Sequence, residues 1–123
     1  MKVLVVEDEA VVAFAECRTI SALGYSPCGI ASNGEEAISV FRRELPAIVC
    51  LDIGLPGSLD GIDVAARILA EASPAILFIT GYDDEERLGR AKLLKPVCLL
   101  QKPISRALLK SGLEAASRAS RPC

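Results

Sequence analysis

The sequence predicts a doubly wound α/β sandwich: five βα units around one parallel sheet, with helices on both faces. Three observations point there. Five short apolar runs, each of four or five residues, alternate with helical segments along the whole chain. The runs are continuous in apolar character rather than alternating, as in strands covered on both faces. At 123 residues the chain is long enough for one core, and right-handed crossovers then place helices above and below the sheet.

The elements follow in order. Residues 2–6 (Lys-Val-Leu-Val-Val) form the first strand. Residues 9–23 read as a helix ended by Gly24, a good left-handed terminator. Val12, Ile20 and Leu23 share one stripe of it; Glu16 falls on the same stripe and is assigned to an exposed edge. Residues 27–31 are a second, weaker strand. Asn33 caps a helix over 34–45, with Glu35 and Glu36 in the first turn where the helix dipole favours acids, and Pro46 ends it. Residues 47–51 are a third buried strand that stops at Asp52. A Gly/Pro loop from Gly54 to Gly61 leads to a helix over 62–72, with Ile62, Ala65, Ala66 and Leu69 as its apolar positions. Pro74 precedes strand four, 75–79, which stops at Thr80. The acids from Asp83 to Glu86 open a short helix and read first as dipole-matched solvated charge. Residues 97–100 are strand five, followed by Gln101, Lys102 and Pro103. Residues 104–119 form the last helix, with a frayed tail over 120–123. No linker or internal repeat appears, so residues 1–123 are read as a single domain.

Composition narrows the function classes. Lys and Arg number 14 and Asp and Glu 16, a net charge of −2, whereas a phosphate-backbone binder carries a basic excess. Aromatics are 4%, with no Trp, too few for a base-stacking platform. The absence of His removes His zinc sites, His general bases and Ser-His-Asp triads together. No apolar run approaches the roughly 18 residues of a membrane span, and the four apolar residues before Glu7, Asp8 and Glu9 are too few for a signal peptide. Cys17, Cys28, Cys50, Cys98 and Cys123 are odd in number and lack C-x-x-C spacing. They read as small core hydrophobes in a reducing cytoplasm, with Cys123 exposed at the terminus.

In open parallel sheets, ligands bind beyond the carboxyl ends of the strands. The polar residues there are Glu7 and Asp8 after strand one, Asp52 after strand three, Thr80 after strand four and Lys102 after strand five. Each alone is a weak signal, since a carboxylate after a strand is more often a helix cap. Their joint placement carries the weight. Three converging carboxylates repel one another, and a hard divalent cation such as Mg²⁺ resolves the repulsion. A lysine neutralises a phosphate as a point charge. A threonine hydroxyl donates to a phosphate oxygen. With no histidine, the nucleophile for phosphoryl chemistry falls to a carboxylate, and Asp52, alone at its strand end, is the candidate.

These residues lie in VLVVEDE (3–9), LDIGLPG (51–57), DG (60–61), ITG (79–81) and QKP (101–103). With them the chain resembles the receiver (REC) domain of two-component response regulators, of the single-domain CheY-like type, from residue 2 to about 119. The resemblance implies a flavodoxin-like strand order of 2-1-3-4-5. It implies Mg²⁺, for which Mn²⁺ can substitute, held by Glu7, Asp8, Asp52 and the backbone carbonyl of Gly54. It makes Asp52 the phosphoacceptor, Thr80 the switch hydroxyl, with small Gly81 leaving access, and Lys102 the phosphate-neutralising lysine, followed by a cis peptide at Pro103. Two departures stand out. Leu99 occupies the place of the usual switch aromatic, and the loop over 56–60 looks one residue longer than the commonest pattern.

The function expected is that of a phosphoprotein in a phosphorelay. It takes its phosphoryl group from a sensor histidine kinase or a histidine phosphotransfer protein. It signals to a downstream protein through helix four, strand five and helix five, as a monomer or a phosphorylation-dependent dimer. It catalyses only its own phosphorylation and dephosphorylation, has no direct nucleic-acid or membrane partner, and is cytoplasmic. Met1 directly before strand one suggests a native start; a receiver excised from a hybrid histidine kinase or larger regulator is the alternative. An Asp-nucleophile phosphatase would need an acid where Gly54 stands. A nucleotide or flavin binder would need a Gly- or Ser/Thr-rich loop where Glu7, Asp8 and Glu9 stand. A degenerate receiver is disfavoured because every matching polar position is filled.

Overall fold

The computed structural model describes residues 1–81 and 85–119. In chain order the elements are β1 (Lys2–Val6), α1 (Ala10–Ala22), β2 (Ser26–Ala31), α2 (Gly34–Glu44), β3 (Ile48–Asp52), α3 (Gly61–Glu71), β4 (Ala75–Thr80), α4 (Glu85–Leu93), β5 (Cys98–Gln101) and α5 (Arg106–Ala119). The sheet is parallel throughout, in the order β2-β1-β3-β4-β5. The start of the acidic block at Asp83 and the tail with Cys123 lie outside the described residues.

The strands form because their side chains bury on both faces. Leu4, Val6, Val49, Leu51, Ile76 and Phe78 pack with Phe41 of α2 and Ile68 of α3. Val3, Val5, Ile48, Cys50, Leu77 and Ile79 pack with Ile20 of α1 and Leu109 and Leu113 of α5. Residues alternate between the two clusters along β1, β3, β4 and β5, as the period-2 geometry requires, whereas β2, whose pairing with β1 skips Cys28, sends Cys28 and Ala31 to the same side. Fully burying a side chain such as Leu77 or Phe78 contributes roughly 1.5–3 kcal/mol before entropy is counted.

Local signals set the helix ends. Gly24, at φ 94°, follows α1. Asn33 Oδ1 accepts the Glu36 N–H at 2.9 Å and caps α2. Leu45, not a glycine, takes the left-handed position after α2 at φ 48°. Asp60 and Asp63 form a reciprocal capping box at the start of α3. Arg90 of α4 reaches both acids, at 3.4 and 3.0 Å, so α4 is tied to the start of α3.

Two corrections follow. Asp52 and Thr80 are the last residues of β3 and β4 rather than the first beyond them. Glu16 is not at an exposed edge: it is 6% exposed, in the layer between α1 and the sheet. Its place on the stripe with Ile20 decided its burial, and its charge did not override the helical period.

Candidate functional site

β1 and β3 are neighbours, so their C-terminal ends deliver Glu7, Asp8 and Asp52 to one corner. Val6 pairs with Leu51, which sets Glu7 beside Asp52 in register. Glu7 is 1% exposed and Asp52 4%, whereas Asp8 is open to solvent. One oxygen from each of the three lies within 4.8 Å of the others.

Asp52 is held from two sides. Its Oδ1 accepts the Gly54 N–H at 2.9 Å, and its Oδ2 accepts from Lys102 Nζ at 3.0 Å. The lysine arrives because the Lys102 N–H bonds to the Thr80 carbonyl at 2.8 Å, continuing the β4–β5 register past Gln101. The Lys102–Pro103 peptide is cis. Lys102 Nζ also lies 3.6 Å from Glu7 Oε2. Burial alone would lower the Lys102 ammonium, but Asp52, Glu7 and Glu9 outweigh it and hold it above its ordinary value.

Glu7 carries the electrostatic cost of the corner. Burial first, then the neighbouring Asp52 carboxyl, push its carboxyl from 4.5 up to about 8, against the lowering pull of the Glu9 N–H and Lys102. Its Oε1 accepts the Glu9 N–H at 3.2 Å, while its buried Oε2 has no hydrogen-bond partner among the described residues. A buried oxygen without a hydrogen bond, only 3.6 Å from the Lys102 ammonium, inside a three-carboxylate set suits a hard, oxygen-seeking divalent cation. The donor set therefore fits Mg²⁺.

The remaining candidates take distinct places. Thr80 ends β4, buried, one residue beyond Ile79, the register partner of Asp52. Gly81 follows it, half-buried. Gly54 is exposed and contributes its N–H to Asp52. Leu99 is not in the corner; on the edge strand β5 it pairs with Phe78 and, half-buried, packs toward the α2, α3 and α4 side. The sequence reading assigned no role to Gly61, which the corner also depends on. A Cβ there would lie 2.1 Å from the Asp52 carbonyl oxygen, so only glycine lets α3 start against the backbone of β3. The Asp60–Gly61 pair was the available signal.

A carboxylate corner with a lysine, at the C-terminal edge of a 2-1-3-4-5 parallel sheet, defines a signalling-type α/β module rather than a nucleotide-loop one. The response regulator receiver domain family matches residues 3–114, and the chain belongs to that family. It is 41% identical over 124 residues to the positive alginate biosynthesis regulatory protein of Pseudomonas aeruginosa, covering 98% of this chain and 49% of that protein. It is 30% identical over 115 residues to the transcriptional regulatory protein PdtaR of Mycobacterium tuberculosis, covering 94% of this chain and 56% of that protein. The chain thus spans about half the length of these curated relatives. Among solved structures it is similar to the receiver domain of a modulated diguanylate cyclase from Desulfovibrio desulfuricans. That match has a TM-score of 0.89 and 37% identity, over 97% of this chain and 94% of that one. Another similar structure is the receiver domain of the response regulator NarL from Mycobacterium tuberculosis, with a TM-score of 0.83 and 27% identity over 94% and 95% of the two chains. No helix among the described residues is long and apolar enough to cross a membrane.

Proposed function

We propose that this chain is a phosphorylation switch over residues 1–123 whose acceptor is Asp52. The observation that carries the reading is the Asp52 carboxylate, buried at the end of β3, bonded to Lys102 Nζ at 3.0 Å and flanked by Glu7 and Asp8. The donor is a phosphohistidine on a sensor histidine kinase or a phosphotransfer protein. An Asp52 oxygen attacks phosphorus in line, a P–O bond forms and the P–N bond breaks. The imidazole nitrogen keeps the electron pair and takes up a proton.

This chain's residues position and neutralise rather than perform covalent chemistry of their own. The Gly54 N–H fixes the rotation of the Asp52 carboxylate. Lys102 is already in place to meet a phosphoryl oxygen. Glu7, Asp8, Asp52 and the Gly54 carbonyl would hold Mg²⁺, with Mn²⁺ as a substitute; bound there, the ion supplies neutralisation of charge on the phosphoryl group. Thr80, with small Gly81 behind it, donates its hydroxyl to the new phosphate. Thr80 moves toward that phosphate, and the change passes to the face of α4, β5 and α5, where a downstream protein binds and where Leu99 stands in place of an aromatic. The only reaction assigned to the chain is phosphorylation and dephosphorylation of its own Asp52.

Acetyl phosphate with Mg²⁺ tests the reading. One phosphoryl group, labile to hydroxylamine, is expected on the wild type and none on Asp52→Asn. Retention of the modification in that variant would remove Asp52 as the acceptor.

A further inference from the structure

The start of α3 is a fixed point beside the acid corner. The Gly61 N–H donates to the Ile53 carbonyl at 2.9 Å, and a Cβ on Gly61 would sit 2.1 Å from the Asp52 carbonyl oxygen. The capping box holds the acids that flank this glycine. Asp60 Oδ1 accepts the Asp63 N–H at 2.9 Å, and Asp63 Oδ2 accepts the Asp60 N–H at 3.1 Å. Each carboxylate therefore has one oxygen tied to backbone and one left for α4. Arg90 reaches Asp60 Oδ2 at 3.4 Å and Asp63 Oδ1 at 3.0 Å, and Arg87 Nε lies 3.8 Å from the same Asp60 Oδ2. Because the capping box already orders the acids, these ion pairs cost less side-chain freedom than an ordinary surface pair.

α4 itself is weakly held. It has 9 residues, too few to be stable alone, and Gly89 in its interior weakens it further. Among its described side chains Ala91 is fully buried, Leu88 is half-buried and Leu93 is 80% exposed. Such a helix owes its position to tertiary contacts, and the two arginines tie it to an element that is fixed to β3.

We propose that Arg90, helped by Arg87, is an ion-pair brake: it holds α4 on the start of α3 in the unphosphorylated chain, and its opening sets how readily the protein enters the conformation that the phosphoryl group selects. This regulation rests on the reading of Asp52 given above. The fold gives the direction of the effect. α3 does not follow α4, because Gly61 is pressed against the backbone of β3. A displacement of the start of α4 as Thr80 moves therefore breaks contacts that are 3.0, 3.4 and 3.8 Å long at rest. A ligand that selects the displaced state has its apparent affinity lowered in proportion to the chains still clamped, so releasing the clamp tightens it. The Arg90 side chain is 53% exposed, so salt screens the brake.

Beryllofluoride with Mg²⁺, titrated into the full chain and followed by amide chemical shifts, tests the proposal. Arg90→Gln removes the charge and touches none of the acid corner. At about 50 mM salt it should bind about three- to fivefold more tightly than the wild type, the factor that an exposed ion pair supplies. Arg90→Lys, which meets one acid at a time, should fall between the two. At about 1 M salt, where screening acts over about 3 Å, wild type and Arg90→Gln should converge. Equal affinities at low salt would overturn the proposal. So would weaker binding by Arg90→Gln, which is what a purely structural contact gives. Amide hydrogen exchange over residues 86–93 without ligand reads the clamp independently of Asp52. Arg90→Gln should exchange about three- to fivefold faster there, and unchanged exchange would sink the clamp itself. Failure of the wild type to bind beryllofluoride would instead remove the Asp52 reading, and with it the brake's connection to phosphorylation.

Discussion

Replacing Glu16 by leucine should make the protein more stable, and by an amount that grows with pH. The carboxyl sits in the layer that holds Ala13, Ile20, Leu109 and Leu113, with both oxygens unpartnered. Burial raises its pKa from 4.5 to about 7. Between those values the folded chain holds a proton that the unfolded chain has released, so stability falls as pH rises through that window. Below 4.5 the group is neutral in both states and nothing is lost; above about 7 it is charged in both and the whole penalty is present. At about 1.4 kcal/mol per pH unit, that penalty is about 3 kcal/mol, of which roughly 2.5 develops between pH 5 and pH 8. Glu7 is raised as well, to about 8, but it is common to wild type and variant and largely cancels in the difference. Urea denaturation of both proteins at pH 5 and pH 8, in chelator, reads the quantity directly. The advantage of Glu16→Leu should increase by about 2.5 kcal/mol over that interval. An advantage that is the same at both pH values would show that Glu16 titrates as an ordinary exposed acid, and the reasoning would fail.

Three further outcomes are expected. Asp8→Asn should abolish Mg²⁺-dependent phosphorylation, while Glu7→Gln should slow it by about 10–100-fold, as measured by intact mass after acetyl phosphate; full phosphorylation in excess chelator would contradict both. Gly61→Ala should cost about 3 kcal/mol or more in urea, because the new methyl group meets the backbone of β3 rather than a side chain that can swing away; a neutral substitution would mean that the start of α3 yields freely. With beryllofluoride as the phosphate mimic, amide shifts should concentrate at Thr80, Gly81 and the start of α4, with β5 moving little, because Leu99 brings no ring to fill the space that Thr80 vacates. Equal changes across 97–100 and the first turn of α5 would refute that.

Much of this was legible in the sequence because the strands are short, apolar and continuous. β1 matches the expected 2–6, and β2 to β5 shift by one residue at most at either end. The strand-end rule then found Glu7, Asp8, Asp52 and Lys102, although Lys102 and Asp52 are 50 residues apart. What escaped notice was of another kind. Glu16 had the right period for burial and the wrong chemistry, and the chemistry was given more weight. Leu45 adopts a left-handed conformation that no local residue type announces. The Arg90 contacts to Asp60 and Asp63 depend on where α4 lies over α3, which no spacing along the chain encodes.

The two buried glutamates show how far this molecule departs from what folding alone would choose. An unfolded chain keeps both carboxyls hydrated. The folded chain holds Glu7 near 8 and Glu16 near 7, each desolvated and each with at least one buried oxygen that has no hydrogen-bond partner among the described residues. A sequence under selection for stability only would place apolar residues at both positions, since replacing buried charge by well-packed side chains is often neutral or favourable. At Glu7 the reason is visible in the geometry: its oxygen completes a set with Asp8 and Asp52 that a divalent cation can satisfy, and Lys102 covers part of the remaining charge. A cation that binds the folded corner and not the unfolded chain returns stability in proportion to its occupancy. At Glu16 no such set is present: neither oxygen has a hydrogen-bond partner among the described residues, so the penalty stands, and it is what Glu16→Leu should recover.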